Sequence, residues 1–597
     1  MSREIDPSII AEVRAKVERA HAAWLKYRSV KQEQADAVVE SMAAAGREHA
    51  RRLAELAVQE TTYGNVEDKL FKNYMCAEWL PRRIRNMRTL GVLREIPEER
   101  IIEYGVPVGV VAAIVPVTNP TSTVIYKSII SLKAGNAIVI SPHPGATGCT
   151  YETAELMHRA AVAAGAPEGI IQCLSKPTLE ATQELMKHPQ VAMILATGGS
   201  GMVRAAYSSG KPALGVGPGN VPVLLDTSYE VAEAVDQVIK GKSFDYGTVC
   251  SSEQSLVAEV CLRERVLAEM RARRAYICNE EEKTALEKTL LKPGGGINPK
   301  CVGQSPMQIA EMAGFRVPPD TSILAVEIQG AGKEYPLSAE KLSPVLSLIF
   351  VRDFEQALAT CEAVLHYGGI GHTCVIFSRD ESRIRAFAER MPAMRVMVNT
   401  QSPAGSVGVT TNLLPSMTLG CGAAGGSATG DNVGPLHLIN IKRLAYAVRR
   451  PEDAFTLPAA KPAQPLAELR ETIIAVIEQY LAERGIRPNP PASAATTVQP
   501  APPPASEIAS RVVERFLTSR TPLTAAQPLV STATAQPTPP PAPSPAPAVK
   551  IAEFVCENDV REAIRESRKI FIGPKTIVTP AARELGEQHG VLVATLP

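Results

Sequence analysis

Residues 106–116 read Val-Pro-Val-Gly-Val-Val-Ala-Ala-Ile-Val-Pro, a run without one charged side chain. It is rich in β-branched residues and too short to span a bilayer, which takes about 20 apolar residues as a helix. A segment of this kind is stable only where both of its faces are covered, as in the middle of a parallel sheet. Helix-like Thr121 to Lys133 follows, then a second buried strand from Asn136 to Ile140. Strand-like runs recur at 170–173, 191–195 and 221–225. This alternation predicts an α/β protein with a doubly wound sheet of the nucleotide-binding kind. A second α/β region runs from about Val238 to Leu414, and the first hundred residues read as helices, Ser29 to Leu56 being apolar at helical spacing.

Proline marks where this body ends. Of 48 prolines, 16 fall between Arg487 and Lys550, where the only aromatic residue is Phe516. Runs such as Pro502-Pro503-Pro504 and Pro539-Pro540-Pro541 cannot build a core and read as extended linker. The body therefore ends near Pro451 to Leu457, and the rest is appendage. Two amphipathic helices interrupt the proline, at 466–486 and 507–519. The first places Leu466, Leu469, Ile473, Ile477, Tyr480 and Leu481 on one face, and the second uses Ile508, Val512, Phe516 and Leu517. Their apolar faces need a cover, either the body itself or a partner. The last piece, 551–597, regains charge and apolar alternation. Thr579 caps a helix that starts at Pro580 and stops at Gly590.

Composition removes several functions. Lys and Arg number 63 against 62 Asp and Glu, so the basic excess of a nucleic-acid binder is absent. No apolar stretch is long enough for a membrane helix, and charges at Arg3, Glu4, Asp6, Glu12 and Arg14 exclude a signal peptide. Eleven scattered cysteines without a CxxC pair argue against a disulfide framework and against a zinc site, so no metal is expected. A multidomain enzyme of a reducing compartment is the remaining class.

Three places carry chemistry. Cys250 lies in Gly247-Thr248-Val249-Cys250-Ser251-Ser252-Glu253, whose small residues leave a thiolate open to approach. Asn119 stands where the strand 106–116 gives way to a helix, the end of the sheet at which ligands bind. Its side chain serves equally as an oxyanion donor or as a helix cap. The turn Thr197-Gly198-Gly199-Ser200-Gly201 opens a helix whose N–H groups suit a pyrophosphate.

In this order, with Gly217-Pro218-Gly219-Asn220 before Cys250, these features resemble the aldehyde dehydrogenase superfamily. They are most similar to its CoA-acylating branch, which includes the aldehyde half of bifunctional aldehyde/alcohol dehydrogenases. Ser141-Pro142-His143-Pro144, Glu340-Lys341-Leu342-Ser343-Pro344-Val345, Gly371-His372-Thr373, the segment 415–422 and the segment 432–440 belong to the same resemblance. It implies a cofactor-binding domain at 1–235, a catalytic domain at 236–420 and a return segment with an oligomerisation strand at 421–457. Beyond them lie the Pro-rich extension at 458–550 and the small segment 551–597. Cys250 would be the nucleophile and Asn119 an oxyanion donor. Thr197, Gly198, Gly199 and Ser200 would hold the cofactor pyrophosphate, and Glu340 the nicotinamide ribose. Ser141 and His143 would lie at the adenosine ribose, with NAD favoured and NADP open.

One departure bears on the reaction. Hydrolytic members carry a glutamate base at the position held here by Gly215. A CoA thiol, with an ordinary pKa of about 8.5, needs less activation than water. The resemblance thus implies oxidation of acetaldehyde or propionaldehyde to an acyl-CoA, through a thioester on Cys250. Its alternatives are a hydrolytic dehydrogenase using another carboxylate such as Glu253, and a decayed body serving as scaffold. The tethered helices resemble encapsulation peptides. They imply a cytoplasmic enzyme inside a bacterial microcompartment, bound to shell or cargo proteins and assembled as a homo-oligomer.

Overall fold

The computed structural model describes residues 6–292, 296–455, 466–485, 551–566 and 568–594. The chain divides into two compact units, Met1–Thr456 and Leu457–Pro597.

The first unit is built on two parallel sheets. One has five strands in the order Ile171–Cys173, Ala137–Ser141, Val110–Ile114, Val191–Thr197, Ala213–Val216. Its winding reverses between Val110–Ile114 and Val191–Thr197, which opens a crevice at their carboxyl ends. The other has seven, in the order Ala275–Ile277, Ile323–Glu327, Val345–Val351, Glu253–Glu259, Val221–Leu225, Gly371–Phe377, Ala393–Val398. A three-stranded antiparallel ribbon joins Gly91–Ile96, Ile101–Pro107 and the returning strand Ile439–Ala445.

Covered faces explain the uncharged strands. All of Val110–Ile114 is buried, as is every residue of the helix Pro120–Lys133. Each such Val or Ile stabilises by about 1.5–3 kcal/mol relative to exposure. Lys127 is buried in that helix, and its ammonium donates to the carbonyls of Ile114 at 2.7 Å and Leu195 at 2.9 Å. It ties together the two strands that flank the crevice. At the amino end, helix Pro7–Tyr27 is capped by the Asp6 side chain and buries Val13, Val17, Ala20 and Ala23.

Two expectations are corrected. The run 106–116 is not one strand: it ends in the ribbon at Pro107 and restarts in the sheet at Val110. Gly109, at φ +137°, makes the break, and a Cβ there would stand 2.9 Å from that of Ala192. Val221–Leu225 belongs to the seven-stranded sheet, so the chain passes between layers before the 235 boundary. Strands buried on both faces look alike in either sheet, and hydrophobic pattern does not encode their partners.

The second unit contains the helix Leu466–Glu483, on which Val476 and Tyr480 are exposed. It also contains a parallel sheet, Ile551–Val555, Ile570–Val578 and Leu592–Ala594, connected by helices Glu557–Arg565 and Pro580–Gln588. Val555, Val560, Ala563, Ile570, Ala582 and Val591 form its small core. Thr579 accepts from the Ala582 N–H, and Gly590 sits at φ +60°. The second amphipathic segment, 507–519, lies outside the described residues.

Candidate active site

The crevice is a cavity of about 530 Å³. Asn119 and His143 line it from one side, Thr197, Gly198 and Gly199 from the floor, and Cys250 and Glu340 from the second layer. Residues drawn from five separate parts of the sequence therefore face one space.

Asn119 stands at the N-cap position of Pro120–Lys133, yet its side chain makes no cap hydrogen bond. The ammonium of Lys72 donates to its Oδ1, while its Nδ2 donates to the Thr118 hydroxyl at 3.1 Å and the Thr248 carbonyl at 3.3 Å. Of the two roles open in the sequence, capping is thus not the one the side chain takes. Cys250 follows three left-handed residues, Asp245, Tyr246 and Gly247, at φ +47°, +50° and +73°. Loss of hydration pushes its thiol up to about 12, the Glu340 carboxylate adds to this, and the Arg395 guanidinium opposes it.

Glu340 accepts from the Gly219 N–H at 3.4 Å. Burial raises its carboxyl to about 8, against the Gly219 hydrogen bond and the charges of Lys242 and Lys341. Gly199 caps the helix Ser200–Tyr207, and a Cβ at Gly199 or Gly201 would meet nothing within 4 Å. Backbone N–H groups of this turn are open to the crevice, so a dinucleotide pyrophosphate fits there. His143 accepts from the Gly145 N–H at 3.0 Å. Of the expected contacts, the Ser200 side chain lies outside the described residues, and Ser141 is turned into the core. It ends its strand fully buried, with its hydroxyl 2.9 Å from that of Thr182, and takes no part in the cavity.

Gly215 has no room for a glutamate. A Cβ there would stand 2.6 Å from Val203 and 3.0 Å from Tyr207, and its carbonyl accepts from the Ser427 hydroxyl at 2.7 Å. Nor does Glu253 reach the crevice: it is buried, with Oε1 accepting from the Ser402 N–H at 2.6 Å. Burial raises it to about 8. His372 is fully buried beside Gly219, and burial together with Arg395 pushes it down to about 3, so it is neutral. His437 is turned to the Gly434 N–H and to Asp431.

The sequence fits the aldehyde dehydrogenase family over residues 6–284. An acetylating aldehyde dehydrogenase from Geobacillus thermoglucosidasius is 50% identical, with a TM-score of 0.74 over 75% of this chain and 99% of its own. The chain belongs to the aldehyde dehydrogenase family. It is 42% identical over 441 residues to the bifunctional aldehyde-alcohol dehydrogenase of Escherichia coli, covering 73% of this chain and 49% of that protein. The chain thus spans about half the length of that relative. A propionaldehyde dehydrogenase from the Clostridium phytofermentans fucose utilisation bacterial microcompartment is 28% identical, with a TM-score of 0.66 over 73% of this chain and 97% of its own.

A second cavity, of about 330 Å³, reaches the nucleophile loop at Val249 and shares Val407 and Met417 with the crevice. Its walls are mainly apolar, with Phe71, Met75, Phe244 and Pro403, joined by Asp68 and Lys72. Sequence reasoning missed Lys69, Lys72 and Asp245 altogether. Two lysines three apart on a helix read as a solvated face, and only the fold turns that face inward. Among the described residues, no cluster of His, Cys, Asp or Glu could hold a metal, and no helix is long and apolar enough to cross a membrane.

Proposed function

We propose that the protein oxidises a short, uncharged aldehyde to its acyl-CoA, using NAD and CoA, through a thioester on Cys250. The observation that carries this reading is the convergence of Cys250, Asn119 and Glu340 on one crevice that has no water-activating carboxylate at Gly215. Cys250 Sγ adds to the aldehyde carbon, and the resulting alkoxide accepts from Asn119 Nδ2 and the Cys250 N–H. Collapse of the alkoxide re-forms the carbonyl and expels hydride, leaving the acyl group on sulfur. The 197–200 turn and Glu340 would hold NAD, which when bound would supply the hydride acceptor. The CoA thiolate then attacks the same carbon and displaces the Cys250 thiolate. Because burial raises its thiol to about 12, Cys250 is protonated at neutral pH and must lose its proton before it attacks.

The apolar second cavity suits the aldehyde chain. Its two charged groups belong to a set of Lys69, Lys72, Asp68 and Asp245 whose formal charges cancel, which favours acetaldehyde or propionaldehyde over a carboxylate-bearing substrate. NAD is favoured over NADP by Glu60. Its carboxylate accepts from the Gly148 N–H at 2.8 Å and the Cys149 N–H at 2.7 Å. The N-terminus of helix Thr147–Ala163, just past the Ser141–Pro144 turn, is thereby filled by the protein's own anion, and a 2′-phosphate nearby would meet repulsion.

The helix Leu466–Glu483, with Val476 and Tyr480 exposed, supports docking to shell or cargo proteins of a microcompartment inside the cytoplasm. The edge strand Ile439–Ala445 exposes Ile441 and Leu444 and supports pairing with a second copy. Acyl-CoA formation measured with C2 to C4 aldehydes, with and without CoA, decides the reaction; NADH formation that ignores CoA would refute it. Co-purification with shell proteins by a chain ended at Thr456, as efficient as that of the full chain, would refute the cargo role.

A further inference from the structure

Lys72 is used by nothing in the reaction above. It lies on the helix Val66–Tyr74, buried, and its ammonium donates both to Asn119 Oδ1 and to Asp245 Oδ2. Lys69, on the same face, donates to Asp245 Oδ2 at 3.0 Å and to the Thr118 carbonyl at 2.9 Å. Asp245 also accepts from the Asn65 N–H at 3.0 Å and from the Thr248 hydroxyl at 2.6 Å. One carboxylate therefore joins the helix to the loop that delivers Cys250, and its two lysine partners carry the contact on to Thr118 and Asn119.

Keeping an ammonium here is costly. Burial, with Lys69 nearby, pulls Lys72 down to about 8, and the Asp245 charge only partly restores it. A lysine serving solubility would be outside, and Asp245 already has Lys69 as a counter-ion. What Lys72 adds is directional. An asparagine amide can be seated either way round, and only its oxygen accepts from an ammonium. Seated on Oδ1, Lys72 directs Nδ2 toward Thr248, two residues before Cys250.

We propose that Lys72 is a positioning residue for the oxyanion site, holding the Asn119 amide by its oxygen so that Nδ2 is the atom turned to the Cys250 loop, where it can exchange its Thr248 contact for the oxyanion. The inference rests on the roles given above to Cys250 and Asn119. Through Asp245, the same ammonium sets the distance between that amide and the Cys250 N–H.

The test is a double-mutant cycle in the full chain, following CoA-dependent aldehyde oxidation at saturating NAD. Lys72→Met should lower kcat about 10- to 100-fold with the aldehyde KM within threefold, and Lys72→Arg should recover most of the loss. In an Asn119→Ala background, Lys72→Met should cost less than twofold, because the amide it positions is gone. Alkylation of Cys250 by iodoacetamide, which forms no oxyanion, should stay within threefold of wild type. Equal losses in both backgrounds would overturn the inference, as would a parallel collapse of alkylation and turnover. If Lys72→Met does not fold, Lys72→Gln carries the same cycle. A wild-type chain that makes no acyl-CoA would instead refute the underlying reaction, whereas an active wild type with an additive cycle refutes only the role of Lys72.

Discussion

The carbonyl oxygen of Cys250 lies 1.9 Å from the point where a Cβ on Gly219 would stand. Gly219 also donates its N–H to Glu340, so one glycine is wedged between the nucleophile's backbone and the carboxylate across the crevice. A methyl group there must push the Cys250 peptide aside, and a displacement near 1 Å at a reacting centre can cost about 100-fold. Gly219→Ala is therefore expected to lower kcat by about that factor while the melting temperature changes by a few degrees; unchanged turnover would show that the Cys250 N–H is not an oxyanion donor.

Asn119→Ala removes the other donor. The expected loss is about 10²- to 10³-fold in kcat, with little change in NADH binding. Stopped-flow NADH formation separates hydride transfer from later steps, and an unaltered fast phase would exclude the amide from the oxyanion site.

Cys250 should also report its surroundings by alkylation. With its thiol raised to about 12, the thiolate is scarce at pH 7, and the iodoacetamide rate should climb about tenfold per pH unit from pH 7 to 10. A plateau near the ordinary thiol value of about 8.5 would contradict this.

Glu253 predicts a pH dependence of stability. Its folded-state carboxyl is raised to about 8, so the native chain keeps a proton that the unfolded chain releases near 4.5. The contribution is complete below that lower value and disappears as pH rises through 8. Wild type should lose melting temperature relative to Glu253→Gln between pH 5 and 9; parallel curves would refute the assignment.

Glu60→Ala tests cofactor choice. Freed of the carboxylate, the N-terminus of Thr147–Ala163 offers the Gly148 and Cys149 N–H groups to a phosphate. NADPH affinity, read by fluorescence titration, should rise about tenfold with NADH affinity nearly constant, and equal changes for both would remove Glu60 from specificity.

How far these features are legible in the sequence depends on whether they are local. The strand–helix alternation, the glycine turn at 197–201 and the small residues around Cys250 depend on neighbours along the chain, and the structure has them where the pattern puts them. Sheet membership of Val221–Leu225 depends on a partner strand more than thirty residues away, and no periodicity reports it. Gly109 is a local signal that was overrun by the apolar residues on both sides. Ser141 occupies the expected strand end, but one side-chain direction separates a ligand contact from a core hydroxyl. The Lys69–Lys72–Asp245 set was least legible, since its members lie about 175 residues apart and each looks ordinary alone.

That separation has a consequence for the order in which the protein comes off the ribosome. The helix Val66–Tyr74 emerges with two lysines whose counter-charge is not yet made, and Asp245 arrives only as the second layer begins. Until the two halves meet, the Asn119 amide lacks its Thr248 acceptor and Lys72 its Asp245 counter-charge. The full set of contacts around Asn119 is thus completed only when residues 245–248 pack against the helix Val66–Tyr74.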